Sequence, residues 1–154
     1  MSGAYGGGDG RRGVLPSKAM SAILLSAHVI LAILAVGPIA VAASIFPRYA
    51  ETPAVAGVLY RICVTYAAVG VAVPLLGIAT AVSMGSLTQA WVLVSIGLTA
   101  VAAVVLVAAI LPGQRAVLAG ASAGRLAMST GIFNLLWVAV TILMIVRPGS
   151  TTGV

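Results

Sequence analysis

The chain contains a single histidine, and it stands where no charge does: His28 lies in the stretch 19–47, which has no Asp, Glu, Lys or Arg. An ionisable ring in so apolar a run is a functional candidate, because burying it away from water costs free energy. Three chemistries are open to it. A neutral imidazole has one donor and one acceptor nitrogen and can bond to a neighbouring helix, which needs no cofactor. It can hold a haem iron as an axial ligand. It can relay a proton. A fourth arrangement adds thioethers. With alternating helix directions, Met20, Met84 and Met144 fall toward the same side as His28, and thioethers with imidazole suit copper(I). The expectation taken first is an interhelical hydrogen bond without a cofactor, with haem and copper as the alternatives.

Residue types that are missing narrow these choices. No Asp or Glu occurs in the long apolar runs, which argues against carboxylate-based ion coupling. No second histidine exists, so a bis-histidine haem cannot form within one chain. No H-E-x-x-H, C-x-x-C or Walker sequence is present, and enzymatic activity is not the expectation. Cys63 is the only cysteine, so no intrachain disulfide is possible.

A second group of polar residues brackets the apolar runs. Arg48, Glu51, Tyr60, Arg61, Tyr66, Arg115 and Arg125 collect on the side away from the N-terminus. Glu51 has Arg48 or Arg61 as its expected partner. The set reads as a belt of snorkelling side chains that meets anionic lipid headgroups, or as a pocket for one such headgroup. Asn134, with Ser129, Thr130 and Thr141, makes the last apolar run comparatively polar, and Asn134 is expected to bond across to another helix.

The elements that must position these groups follow from composition. Of 154 residues, 62% are hydrophobic and only 6% charged, against about 25% in soluble domains. Mean hydropathy is +1.22. Such a chain cannot present a wettable surface, so its expected solvent is lipid. The net charge of +6 is confined to the tail and loops, without basic runs or aromatic–basic alternation, which points to anionic headgroups and not to nucleic acid. Charge-free runs cover 19–47, 62–114 and 126–146. A bilayer core takes about 20 helical residues, so the middle run holds two spans, broken at the polar cluster Ser83–Ala90 beside Trp91.

The expected fold is therefore all-α, a polytopic membrane bundle of four helices near 20–46, 58–82, 91–111 and 126–146. It occupies 19–147, with a glycine-rich disordered tail at 1–18 and a short tail at 148–154. A removable signal peptide is not expected, and Ser2 stands where a myristoylation signal needs glycine. Pro47 and Pro112 are expected to close the first and third helices, and Pro38 and Pro74 to kink the first and second. Each hairpin reads apolar run, Pro, Arg, loop, Arg, apolar run, which allows two repeated helical hairpins. Arg11, Arg12, Lys18 and Arg147 on one side balance Arg48, Arg61, Arg115 and Arg125 on the other. The positive-inside count is tied; both termini inside is the orientation taken.

The stretches "SAHVILAILAVGPIAVAASIFPRYA" and "LYRICVTYAAVGVAVPLLGIATAV" resemble a family of integral membrane proteins of unknown function common in high-GC bacteria. That family is distantly similar to CopD copper-resistance and HemJ protoporphyrinogen-oxidase type membrane proteins. The closer resemblance runs over about 20–147. The distant one lies in the first helix: an early histidine and a following glycine, which correspond to His28 and Gly37, then Pro47 and Arg48 at the helix end. The HemJ-type resemblance implies haem at His28 and porphyrinogen oxidation; the CopD-type resemblance implies copper handling. The bacterial cell membrane is the implied location. This chain departs from both in lacking further intramembrane histidines.

Overall fold

A computed structural model describes residues 14–149, and among these every regular element is helical. Helix α1 covers Val14–Ile45, followed by a 3₁₀ turn at Phe46–Tyr49; α2 covers Pro53–Gly70, α3 Ala72–Ser83 and α4 Ala90–Val105. A π-helical segment, Leu106–Ile110, leads into α5 (Leu111–Leu118), and α6 covers Gly124–Val146. They combine into four stretches long and apolar enough to cross a membrane: Lys18–Tyr49, Pro53–Ser83, Ala90–Leu118 and Gly124–Val146. The reading of 1–13 and 150–154 as tails concerns residues outside those described, as do Arg11 and Arg12. Residues 14–18, assigned above to the tail, belong to α1.

The prolines act in different ways. Pro38 lies inside an uninterrupted α1. Pro47 lies in the first turn of the 3₁₀ segment that ends α1. Pro74 cannot donate to the Gly70 carbonyl and its ring crowds that oxygen. The second stretch accordingly breaks at Val71, whose N–H bonds back to Ala68 at 3.3 Å. Pro112 does not close the third helix, contrary to the expectation. The backbone widens to π geometry just before it, with the Leu111 N–H reaching Leu106 O, and the helix runs on to Leu118. A widened turn leaves room for a pyrrolidine ring that a regular turn would exclude. The two hairpins thus differ in their use of proline.

The helix ends are built locally. Gly85 has φ +64°, its N–H reaches Val82 O and the next N–H, of Ser86, reaches Ala81 O. Gly120 has φ +98° and the same pair of bonds, Gly120 N to Val117 O and Ala121 N to Ala116 O. Both are Schellman closures, which need a left-handed residue that glycine adopts without strain. Arg147 closes α6 by the simpler left-handed bond to Leu143 O, with φ +45° on a residue that has a Cβ.

Helices consecutive in sequence are neighbours in space, giving an up-down-up-down bundle. The first stretch packs along α2 and α3, α4 packs along α6, and the two pairs meet mainly through α2 with α5 and α1 with α6. The main core lies toward the Pro47 end. Small side chains there (Ala42, Ala43, Ala56, Cys63, Ala102) let backbones approach, and Phe46, Ile110 and Phe133 fill the space between. At the other end a small cluster gathers Ala81, Trp91 and Val92, with Leu87 and Met144 against it.

Candidate functional site

His28 is half-buried on α1 and shares its face with Ala35, Ile39 and Ala42, all buried. The spacing of four, three, four and three residues puts His28, Ala32, Ala35, Ile39 and Ala42 on one stripe. The stripe meets α3, where His28 Nδ1 donates to the Val73 carbonyl at 3.0 Å. A carbonyl can only accept, so this bond places a hydrogen on Nδ1, and in the neutral ring the lone pair is then on Nε2. The ring rests on Gly77: a Cβ there would lie 2.9 Å from Cε1, 3.4 Å from Nδ1 and 3.6 Å from Nε2. Only glycine lets the imidazole come this close to α3. Histidine, carbonyl and glycine together form a tether between the first two membrane-length stretches.

The methionines expected as co-ligands are not gathered around it. Ser21 Oγ donates to Ser83 O at 3.3 Å, which puts the start of α1 beside the end of α3. Met20 and Met84 therefore lie at the same end of the bundle, both exposed. His28 sits at the level of Gly77, about 10 Å of helix rise from Met84. Met144 is occupied against the Trp91 cluster. Among the described residues no group of three or more His, Cys, Asp or Glu is placed to hold a metal ion. For haem, the donor set supplies one axial ligand, Nε2 of His28.

The polar belt at the other end is also redistributed. Arg115 Nε donates to Tyr60 Oη, and its guanidinium lies over the Tyr60 ring at 5.6 Å, joining α5 to α2. Arg48, Glu51, Arg61 and Arg125 are exposed, and no ion pair to Glu51 forms among the described residues. The expected Glu51 partnership with Arg48 or Arg61 is thus absent, because all three side chains face outward at the bend. Tyr66 packs against the main core. Asn134 Nδ2 donates to Ser44 Oγ of α1 at 3.0 Å.

Gln114 escaped the reading of the sequence. Gln114 is fully buried, with Nε2 directed at Cys63 Sγ at 3.4 Å and Oε1 without a partner. Thr130 Oγ1, Asn134 Oδ1 and Trp137 Nε1 are likewise buried and unpaired, and they follow one another along one side of α6. Each such group costs about 1–3 kcal/mol unless water satisfies it. The signal for Gln114 was the lone amide in "AAILPGQRA", hidden because Pro112 read as a helix stop. Gly120-Ala121-Ser122-Ala123-Gly124 also spells the G-x-S-x-G of a nucleophile elbow. Here it joins two helices and not a strand to a helix, and the chain's only histidine packs on Gly77, well along the bundle from this connection, so His28 is not placed to serve Ser122 as a base.

Compared with known protein families, curated proteins and solved structures, the chain matches none of them. What fold and composition define is a class: a protein that is all-helical over the described residues, with four helices among them long and apolar enough to cross a membrane.

Proposed function

We propose that the chain is an integral protein of the bacterial cell membrane, crossing it four times, and that it is a structural or binding bundle. It self-associates or serves as a small subunit of a larger membrane complex. The observation that carries this reading is the employment of His28. The chain's only histidine, deep in an apolar stretch, bonds to backbone and packs on Gly77. The outward faces support placement in lipid: Ile33, Leu135 and Ile145 are each more than 60% exposed. Large exposed apolar patches are rare on soluble monomers and mark membrane or partner contacts. Purification in mild detergent with mass determination tests the reading. A homo-oligomer or a stoichiometric partner is expected; a strictly monomeric chain without a partner overturns it.

A second reading has one specific observation in its favour. Histidines that ligate metals commonly donate their other ring N–H to a backbone carbonyl, as His28 does to Val73. In that reading, to which the HemJ-type resemblance also leads, His28 would hold haem through Nε2. The group would supply one-electron chemistry. It requires a Soret band that disappears in His28→Ala.

A further inference from the structure

A cleft opens between α5 and α6 at the Pro112 end of the bundle, with a volume of about 470 Å³. Its two walls differ in chemistry. Along the third stretch it is lined by Ala109, Gly113 and Ala116, spaced so that small side chains succeed one another down one helical face. Across from them stand Ser122, Arg125 and Ser129. Gly113 sets the closeness of the walls, since a Cβ there would meet Leu126 Cδ1 at 3.0 Å. Ser129 Oγ donates to the Arg125 backbone carbonyl at 3.2 Å, and the Arg125 guanidinium is exposed and has no acceptor among the described residues. Arg115, the other cation at this end of the third stretch, is engaged with Tyr60. Of the two arginines that flank the α5–α6 connection, Arg125 is thus the unengaged one among the described residues, and it lines a cleft with a small-residue floor.

We infer that this cleft binds the phosphate of one anionic phospholipid, with Arg125 and the Ser122 hydroxyl on the phosphate and an acyl chain along Ala109, Gly113 and Ala116. A guanidinium forks onto phosphate oxygens, and a floor without large side chains admits a chain of methylenes. The charge of the chain is complementary to such a lipid, at +6 overall. The inference rests on the bilayer placement proposed above. It goes beyond a diffuse belt of cations, because it assigns retention to one arginine and one wall.

The test is native mass spectrometry of the full chain released from mixed phosphatidylglycerol and phosphatidylcholine vesicles into mild detergent. The wild type retains one phosphatidylglycerol in preference to phosphatidylcholine. Arg125→Gln lowers that retention about fivefold, the ratio that one interfacial cation supplies. Ala116→Phe, which fills the apolar wall and leaves every charge in place, lowers it as well, and Arg115→Gln leaves it unchanged. Equal losses in Arg125→Gln and Arg115→Gln overturn the site in favour of a belt. Displacement of the lipid by inorganic phosphate, together with full retention in Ala116→Phe, overturns the acyl-chain assignment in favour of a free-phosphate site. A chain that stays in solution without detergent overturns the bilayer placement, whereas a detergent-soluble chain that carries no phosphatidylglycerol overturns the headgroup site alone.

Discussion

Adding one methyl group at Gly77 should destabilise the bundle, and removing His28 should abolish or reverse that effect. A Cβ on Gly77 would lie 2.9 Å from Cε1 of an imidazole already anchored to Val73 O at 3.0 Å. The ring can yield only by giving up its bond. Overpacking of this kind costs about 1–3 kcal/mol, and an interhelical hydrogen bond is worth about 0.6–1.7 kcal/mol. Alanine is the better helix former by about 1 kcal/mol, which opposes both terms. Gly77→Ala alone is therefore expected to lose about 1–2 kcal/mol on balance. In a His28→Ala background the clash is gone, and the same change becomes neutral or stabilising by up to about 1 kcal/mol. The coupling is about 2 kcal/mol, well above the roughly 0.5 kcal/mol within which independent sites add. Denaturation in mixed micelles followed by the fluorescence of Trp91 and Trp137 measures all four corners of the cycle. Additive effects at the two positions would refute the tether.

Two further changes separate packing from polarity elsewhere. Gln114→Met keeps the length of the side chain and deletes an orphaned acceptor. It is expected to raise stability by about 1 kcal/mol in the same assay, and a loss would show that an internal water satisfies Oε1. Arg147 holds a left-handed conformation at φ +45°, with its Nε on Met144 O at 3.2 Å and its guanidinium 5.7 Å from the Trp91 ring. Arg147→Ala loses both contacts and keeps the strain, whereas Arg147→Gly loses them and releases it. The glycine variant should be the more stable of the two by about 1 kcal/mol, and the reverse order would mean that the strain is absorbed elsewhere.

The broad architecture was legible because charge is so sparse that it punctuates the chain. The gaps between Arg48 and Arg61 and between Arg115 and Arg125 enclose the two bends at one end, and the Ser83–Ala90 cluster encloses the bend at the other. The inward direction of His28 could be read from the small residues that share its stripe. Its acceptor could not, because a backbone carbonyl leaves no mark on side-chain identity; Gly77, one glycine in an apolar helix, gave no sign of what would rest on it. Pro112 misled because proline ends helices in water, while here a π turn accommodates it and carries Gln114 into the core. The depth of the methionines could not be read either: shared direction along the bundle places residues on one side but not at one level.

The employment of His28 is the point on which the function turns. The most direct measurement is the absorption spectrum, with metal analysis, of the protein purified in mild detergent beside its His28→Ala variant. A tether predicts that the two spectra are alike, with no Soret band and no stoichiometric copper, and that the variant differs only in its lowered stability. A Soret band or bound copper in the wild type that is lost from His28→Ala would contradict it and make His28 a ligand.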